Sequence, residues 1–180
     1  MDKKLILVLL VALLFATLLS ILFLLPEKKE GYLTLNNETM ICDYYYICFF
    51  FNNSWHKPKY NAGTNLIAAS KLKIENETAI KDFFKREKIN LVLETTPGIV
   101  ETMPFAYYLS YYYNIKNESK KIVSNVTSQW NYEEPAIIIL GPNREGSDTI
   151  KYDGKNLIVD SKTRESLGLL LGKLLLIVVS

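Results

Sequence analysis

The longest apolar stretch of the chain, residues 5–25, constrains the fold more than any other feature. It comprises 21 residues without a charge, and its only polar members are Thr17 and Ser20. At about 1.5 Å per residue, a helix of this length spans the roughly 30 Å hydrocarbon core of a bilayer. Because backbone groups in lipid must satisfy their own hydrogen bonds, the sequence predicts a transmembrane helix whose partner is the lipid bilayer.

The flanks of this stretch indicate an anchor that is not removed. A cleaved signal peptide has an apolar core of about 7–15 residues followed by small residues at the cleavage site. Here Phe23 and Pro26 lead directly into the charged residues that begin at Glu27, without such a pattern. A helix buried in a soluble domain would carry a polar face, which this stretch lacks. The sequence therefore predicts a short flank (1–4), a transmembrane signal anchor (5–25), a tether (26–31) and a single extracytoplasmic domain (32–180).

The lysines that flank the predicted anchor do not decide its orientation, because two precede the span and two follow it. The orientation is predicted instead from possible glycosylation triplets further along the chain. The domain contains five Asn-x-Ser/Thr triplets, more than its composition alone predicts. Such acceptors carry glycans on the exported side of a membrane, so the domain is predicted to lie outside the cell. The alternative is that an Asn-rich sequence scatters unused triplets. The possible glycosylation sites are Asn37, Asn52, Asn76, Asn117 and Asn125.

Composition and charge exclude some function classes. The formal net charge is only +2, and the basic residues form no dense cluster, which argues against a nucleic-acid partner. Lys, Ile and Tyr are abundant and Gln129 is the sole glutamine, a composition typical of thermophilic archaea. The abundance of heat-labile Asn opposes that interpretation.

The two cysteines, Cys42 and Cys48, predict a disulfide only if the chain reverses between them. Six residues along one straight strand span about 20 Å, which is beyond disulfide reach. A hairpin loop at residues 43–46 would bring the two together, and the bridge would persist outside the cytoplasm. The alternative is a pair of buried thiols in an apolar strand. Two cysteines and one histidine are too few for a zinc site, and no metal site is predicted.

The domain alternates between strand and helix signals. Residues 136–140 are apolar at every position, which is typical of a strand buried on both faces in a parallel sheet. The helices that carry Phe83 and Phe84, and Phe105 and Leu109, are predicted to cover these faces together with the Leu-rich C-terminus.

The Asp153-Gly154 pair between two short apolar runs predicts a hairpin at one edge of the sheet. The sequence thus predicts an α/β domain with a mixed sheet of parallel core strands plus an antiparallel hairpin. Residues 121–126 fit either helix or strand, and residues 52–63 are predicted as a loop. The predicted strands are 32–35, 40–51, 65–74, 89–93, 136–140, 149–152 and 156–160. The predicted helices are 76–88 capped by Asn76, 102–115 capped by Thr102, and one beginning near Arg164 capped by Ser161 or Thr163.

A candidate ligand site follows two of the predicted strands. In open α/β sheets, ligands bind beyond the carboxyl ends of the strands. If strands 89–93 and 136–140 are parallel neighbours, the loops after them share one edge. An acid, an amide and a guanidinium there would hold a small polar ligand. The alternative is that these residues serve turns for backbone reasons alone. The candidate ligand-binding residues are Glu94, Thr95, Asn143 and Arg144.

The sequence contains no Gly-x-Ser-x-Gly elbow, His-Glu-x-x-His motif or phosphate-binding loop, so no enzyme class and no cofactor is predicted. Tyrosine runs at residues 44–46 and 111–113 are typical of recognition surfaces, or of packing between elements. The sequence therefore predicts a membrane-anchored binding module of the cell envelope, with protein or glycan partners. The alternative is a membrane-tethered hydrolase that acts on envelope polymers through Glu94 and Glu101.

Overall fold

The computed structural model describes residues 33–94, 98–118, 120–126, 134–142, 145 and 147–180. The predicted signal anchor, its flank and its tether lie outside these ranges and stay predictions. Within the described part of the chain, no helix is both long and apolar enough to cross a membrane. The described residues belong to one unit, Gly31–Ser180, which is distinct from Met1–Glu30.

The first part of the domain is an antiparallel sheet whose strands pair in chain order. The strand character predicted over residues 40–51 is divided between two strands, because the chain reverses at Tyr44 and Tyr45, within the hairpin loop considered for the two cysteines. The loop predicted over residues 52–63 contains a further strand. Asn52 and Asn53 have φ values of 50° and 59°, and such left-handed pairs make the tight turns that join hairpin strands. The strands are β1 (Leu33–Thr34), β2 (Thr39–Asp43), β3 (Tyr46–Phe51) and β4 (Ser54–His56).

Two short helices follow, α1 (Leu66–Ser70) and α2 (Glu77–Phe83). The strand predicted over residues 65–74 is wrong. The Asn65 side chain instead caps α1 by accepting a hydrogen bond from the Ala68 amide at 3.0 Å. Asn76 precedes α2 as predicted, but it has a φ of 58° and its side chain makes no capping hydrogen bond.

The second sheet has five strands in the order β6-β5-β7-β9-β8. The pairs β6–β5, β5–β7 and β7–β9 are parallel, and the pair β9–β8 is antiparallel. The predicted mixed sheet, with parallel core strands and an antiparallel hairpin, is thereby confirmed. The strands are β5 (Lys88–Leu93), β6 (Lys121–Val126), β7 (Ala136–Leu140), β8 (Thr149–Tyr152) and β9 (Leu157–Asp160).

Two longer helices complete the domain, α3 (Ile99–Ile115) and α4 (Arg164–Val179). Thr102 does not cap α3, which begins three residues earlier; its hydroxyl donates to the Gly98 carbonyl at 2.7 Å inside the helix. Thr163 caps α4, since its hydroxyl accepts from the Ser166 amide at 3.0 Å.

One large core cluster joins both sheets and the four helices of the described residues. α4 is buried around most of its circumference, as expected for a helix that is apolar on all sides. Gly172 permits its close approach to α1, because a Cβ there would lie 2.6 Å from Thr64 and 3.2 Å from Ala69. The Leu-rich C-terminus thus forms the centre of the domain.

The two faces of the mixed sheet are buried in separate clusters. Ile137 and Ile139 belong to the main core with the helices. Ile138, which points to the other face, is buried in a second cluster with Val92, Ala136 and Leu140. The prediction that the helices cover both faces is wrong for the described elements, because all four described helices belong to the first cluster.

Candidate functional site

The predicted ligand site lies at the carboxyl ends of β5 and β7, which are parallel neighbours as the prediction required. The Glu94 amide donates to the Ile139 carbonyl at 3.0 Å, so Glu94 directly follows the paired part of β5. Thr95, Asn143 and Arg144 lie outside the described residues. The ligand-binding role of these four residues therefore stays a prediction.

Next to Glu94, backbone atoms of neighbouring segments approach each other closely in the described part of this edge. Gly141 has a φ of 97°, and a Cβ there would lie 2.3 Å from the Ser161 carbonyl oxygen. A Cβ at Gly98, just before α3, would lie 3.1 Å from the Gly141 carbonyl oxygen. The ends of β7 and β9 and the start of α3 therefore leave little space for a ligand between them.

Glu101 lies in the first turn of α3, where the helix dipole favours a negative charge. One of its carboxylate oxygens is buried and makes no hydrogen bond. The residue lines a cleft of about 440 Å³ together with Tyr45, Asn65, Arg164 and Glu165. Among the residues that the structure describes, no three His, Cys, Asp or Glu side chains gather as a metal site would require.

A groove of about 580 Å³ lies at the opposite end of α3. Glu38 and Lys116 form an ion pair beside it, and the hydrogen bond with Glu38 is the main cause that raises the pKa of Lys116. The Lys116 ammonium lies 6.0 Å from the centre of the Tyr112 ring. The other lining residues carry aromatic, amide, hydroxyl or aliphatic side chains: Thr39, Phe49, Phe50, Phe51, Asn52, Asn53 and Ile115.

Sequence reasoning did not identify this groove. Glu38 and Lys116 are 78 positions apart, and neither belongs to a motif that indicates binding. The tyrosine run 111–113 was the available signal, since Tyr112 lines the groove.

The two tyrosine runs have different roles. Tyr113 is buried and its hydroxyl donates to the Phe84 carbonyl at 3.1 Å. Tyr111 and Tyr112 pack against Phe49, with ring centres 5.6 and 5.9 Å away. The run at 111–113 therefore serves packing between elements. Tyr44 and Tyr45, by contrast, are exposed at the turn between β2 and β3.

Cys42 and Cys48 form a disulfide that joins β2 to β3 across this turn, with Cα atoms 5.6 Å apart. The chain reversal that the bridge requires is made at Tyr44 and Tyr45, between the two cysteines.

Four of the five possible glycosylation sites have exposed side chains, and the side chain of Asn125, on edge strand β6, lies outside the described part. Three of the four have positive φ values, of 50°, 58° and 54°. Asparagine tolerates this conformation better than most residues, so backbone geometry also accounts for asparagine there. The exposed sites are Asn37, Asn52, Asn76 and Asn117.

Comparison of the chain with protein families, curated proteins and solved structures gives no match. The fold defines its class as a mixed α/β protein, in which a mixed sheet and an antiparallel sheet share one helical core.

Proposed function

We propose that this protein is a single-pass membrane protein that holds an α/β binding domain on the outer side of the cell membrane. The uncharged stretch at residues 5–25 supports the anchor. The Cys42–Cys48 disulfide supports the location, because such bridges persist in oxidising compartments outside the cytoplasm.

The groove beside α3 is the observation that carries the binding role. Phe51, whose ring stacks on His56 on one side, and Tyr112 line the groove and offer apolar contact. Glu38, Asn53 and Lys116 offer acceptors and donors around them. Ligand sites combine an apolar lining with a few convergent polar groups in this way. A saccharide has both apolar ring faces and hydroxyl groups, so an envelope glycan fits this chemistry.

The test is binding of the detergent-solubilised full chain to an array of cell-envelope oligosaccharides. Glu38→Gln keeps the side-chain size but removes the charge that pairs with Lys116, so binding should weaken several-fold. Glu87→Gln, on an exposed residue that does not line the groove, is the matched control and should bind normally. Equal binding by both variants, or no retained oligosaccharide, would contradict a glycan-binding groove.

Asn52 lines the groove and also begins a glycosylation triplet. A glycan on Asn52 would occupy the rim and compete with a ligand. The array is therefore also probed with the Asn52→Gln variant. This variant cannot carry a glycan at that position and should bind at least as well as the chain without a substitution.

The alternative, a tethered hydrolase, is favoured by one observation: the buried and unpartnered carboxylate oxygen of Glu101 in the cleft near α4. Envelope polymers incubated with the full chain would then be cleaved. Loss of that cleavage in Glu94→Ala or Glu101→Ala, with Glu87→Ala unchanged, would establish a hydrolase and overturn the binding module.

A further inference from the structure

The end of the domain opposite the groove carries an exposed apolar and aromatic surface, here named the aromatic tip. Val100 and Met103 on α3 are 61% and 65% exposed, and Tyr60 is 56% exposed. Soluble surfaces place such large apolar side chains singly, and a contiguous set marks a contact site. The aromatic tip consists of Tyr44, Tyr45, Tyr60, Val100 and Met103.

Contacts between three chain segments bring these residues to one end of the domain. The β2–β3 turn joins the loop before α1, because the carbonyls of Tyr44 and Tyr45 accept from the amides of Leu66 and Ala62, each at 2.7 Å. That loop joins α3 through the edge contact between the rings of Tyr60 and Tyr107, 5.1 Å apart.

Val100, Met103 and Tyr107 fall at i, i+3 and i+7 along α3, so they lie on one stripe of the helix. The stripe extends the surface from Tyr60 toward the start of the helix.

The described chain begins close to the aromatic tip. In β1, Leu33 lies opposite Ile41, which is three residues before Tyr44 and so within about 10 Å of the turn along the strand. Residues 26–32 separate the predicted anchor from Leu33 and span at most about 25 Å when fully extended. If residues 5–25 lie in the bilayer, Leu33 lies within about 25 Å of its surface.

We propose that the aromatic tip docks on the headgroup layer of the membrane. The inference rests on the proposed anchor and adds the orientation of the domain. Tyrosine is enriched at the membrane–water interface, where its ring contacts acyl chains and its hydroxyl stays hydrated. Val100 and Met103 supply apolar area beside it.

One cation of the tip is placed to contact a lipid phosphate, while Glu101, Arg164 and Glu165 line the cleft beside Tyr45. The Lys59 ammonium lies 5.3 Å from the centre of the Tyr60 ring. In the described part of the chain, no carboxylate lies within ion-pair distance of Lys59. Lys59 is thus placed to bind an anionic headgroup while Tyr60 enters the interface.

The experiment reconstitutes the full chain in nanodiscs of mixed phosphatidylcholine and phosphatidylglycerol. The native disulfide uses both natural cysteines, so Tyr60→Cys and Met103→Cys each provide one free thiol for a nitroxide label. Lys151→Cys, at the exposed position of edge strand β8, is the matched control. Collisions with a water-soluble nickel chelate should be several-fold rarer at positions 60 and 103 than at position 151, and collisions with oxygen more frequent.

Each outcome decides the inference. Equal access of the nickel chelate to all three positions in correctly reconstituted nanodiscs would overturn docking and leave the anchor intact. Failure of the full chain to enter nanodiscs would overturn the anchor and docking together. Spin–spin coupling between labels at position 60 on two chains, with low access of both nickel and oxygen, would show that a second copy covers the tip and would overturn docking on lipid.

Discussion

Two buried tyrosines on α3 have different hydroxyl environments. Tyr113 donates to the Phe84 carbonyl at 3.1 Å. The Tyr108 hydroxyl is buried without a hydrogen bond. Burial is the main cause that raises its pKa, and the Ile47 backbone acts in the opposite direction. A hydrogen bond contributes about 1 kcal/mol to stability, whereas an unpaired buried polar group costs free energy.

We therefore expect Tyr113→Phe to lower the free energy of unfolding by about 1 kcal/mol. Tyr108→Phe should leave it unchanged or raise it, because the lost hydroxyl had no partner. Denaturant unfolding of the full chain in detergent measures both, and each variant serves as the control for the other. Equal destabilisation would mean that the Tyr108 hydroxyl is hydrogen-bonded after all.

The same two phenols make the domain sensitive to alkali. Burial is the main cause that raises the pKa of both Tyr108 and Tyr113 above the usual value. Since the folded-state pKa exceeds that of the unfolded chain, the stabilisation is complete below about pH 10 and is lost as the pH rises above it.

The expected result is a melting temperature that falls steeply above about pH 10, the ordinary tyrosine pKa. Tyrosinate absorbance should rise in two phases, with the buried phenols ionising only as the domain unfolds. In the Tyr108→Phe/Tyr113→Phe double variant the late phase should shrink. A single early phase that includes all tyrosines would contradict the burial argument.

At the scale of elements, β7 is the strand most sensitive to a buried charge. Ile138 is 3% exposed and Ile139 is fully buried, and the two face opposite sides of the sheet. Aspartate at either position would bury an unpaired carboxylate, which costs several kcal/mol. Ile138→Asp and Ile139→Asp should each abolish cooperative unfolding.

Val100→Asp, on an exposed apolar residue, is the matched control and should melt as the unmodified chain does. Thermal unfolding followed by circular dichroism compares the three. If Ile138→Asp alone melted normally, the second cluster would be open to water and the sheet would be covered on one face only.

β7 illustrates what sequence reasoning can predict. Five consecutive apolar residues between Pro135 and Gly141 are too few for a typical helix, and the strand has the predicted bounds 136–140. The Asp153-Gly154 turn is equally local, because the Asp153 carboxylate accepts from the amides of Lys155 and Asn156. Such elements are specified by their own residues.

The errors arise where tertiary contacts decide. α1 has only five residues, too few for a helical period, and packs against α4 at Gly172. The turn at Tyr44 and Tyr45 divides β2 from β3 within one sheet, and its residue types alone do not indicate a turn; only the spacing of Cys42 and Cys48 does. The groove likewise depends on an ion pair between Glu38, which lies between β1 and β2, and Lys116, which directly follows α3. No local sequence pattern predicts that these two residues meet.

At the scale of the whole molecule, α3 connects the two proposed surfaces. Met103 in the aromatic tip and Lys116 at the groove are 13 residues apart, about 20 Å along a helix. If the tip docks on lipid, the groove opens on the side away from the bilayer. Asn37 and Asn117 are sequence neighbours of Glu38 and Lys116, so glycans there would also project away from the membrane.

The orientation of the chain is the prediction on which both proposals depend. Protease added to intact cells should digest residues beyond 30, while the N-terminus before the anchor stays protected. Lysed cells are the control, in which both segments should be digested. An exported domain with exposed acceptors should also carry a glycan on at least one of Asn37, Asn52, Asn76, Asn117 or Asn125. The glycan would be detected as a mass shift of the purified chain.

In the protease experiment, complete protection of residues 31–180 in intact cells would reverse the orientation. The groove would then face the cytoplasm, where glutathione keeps most thiols reduced and Cys42 and Cys48 should be found free.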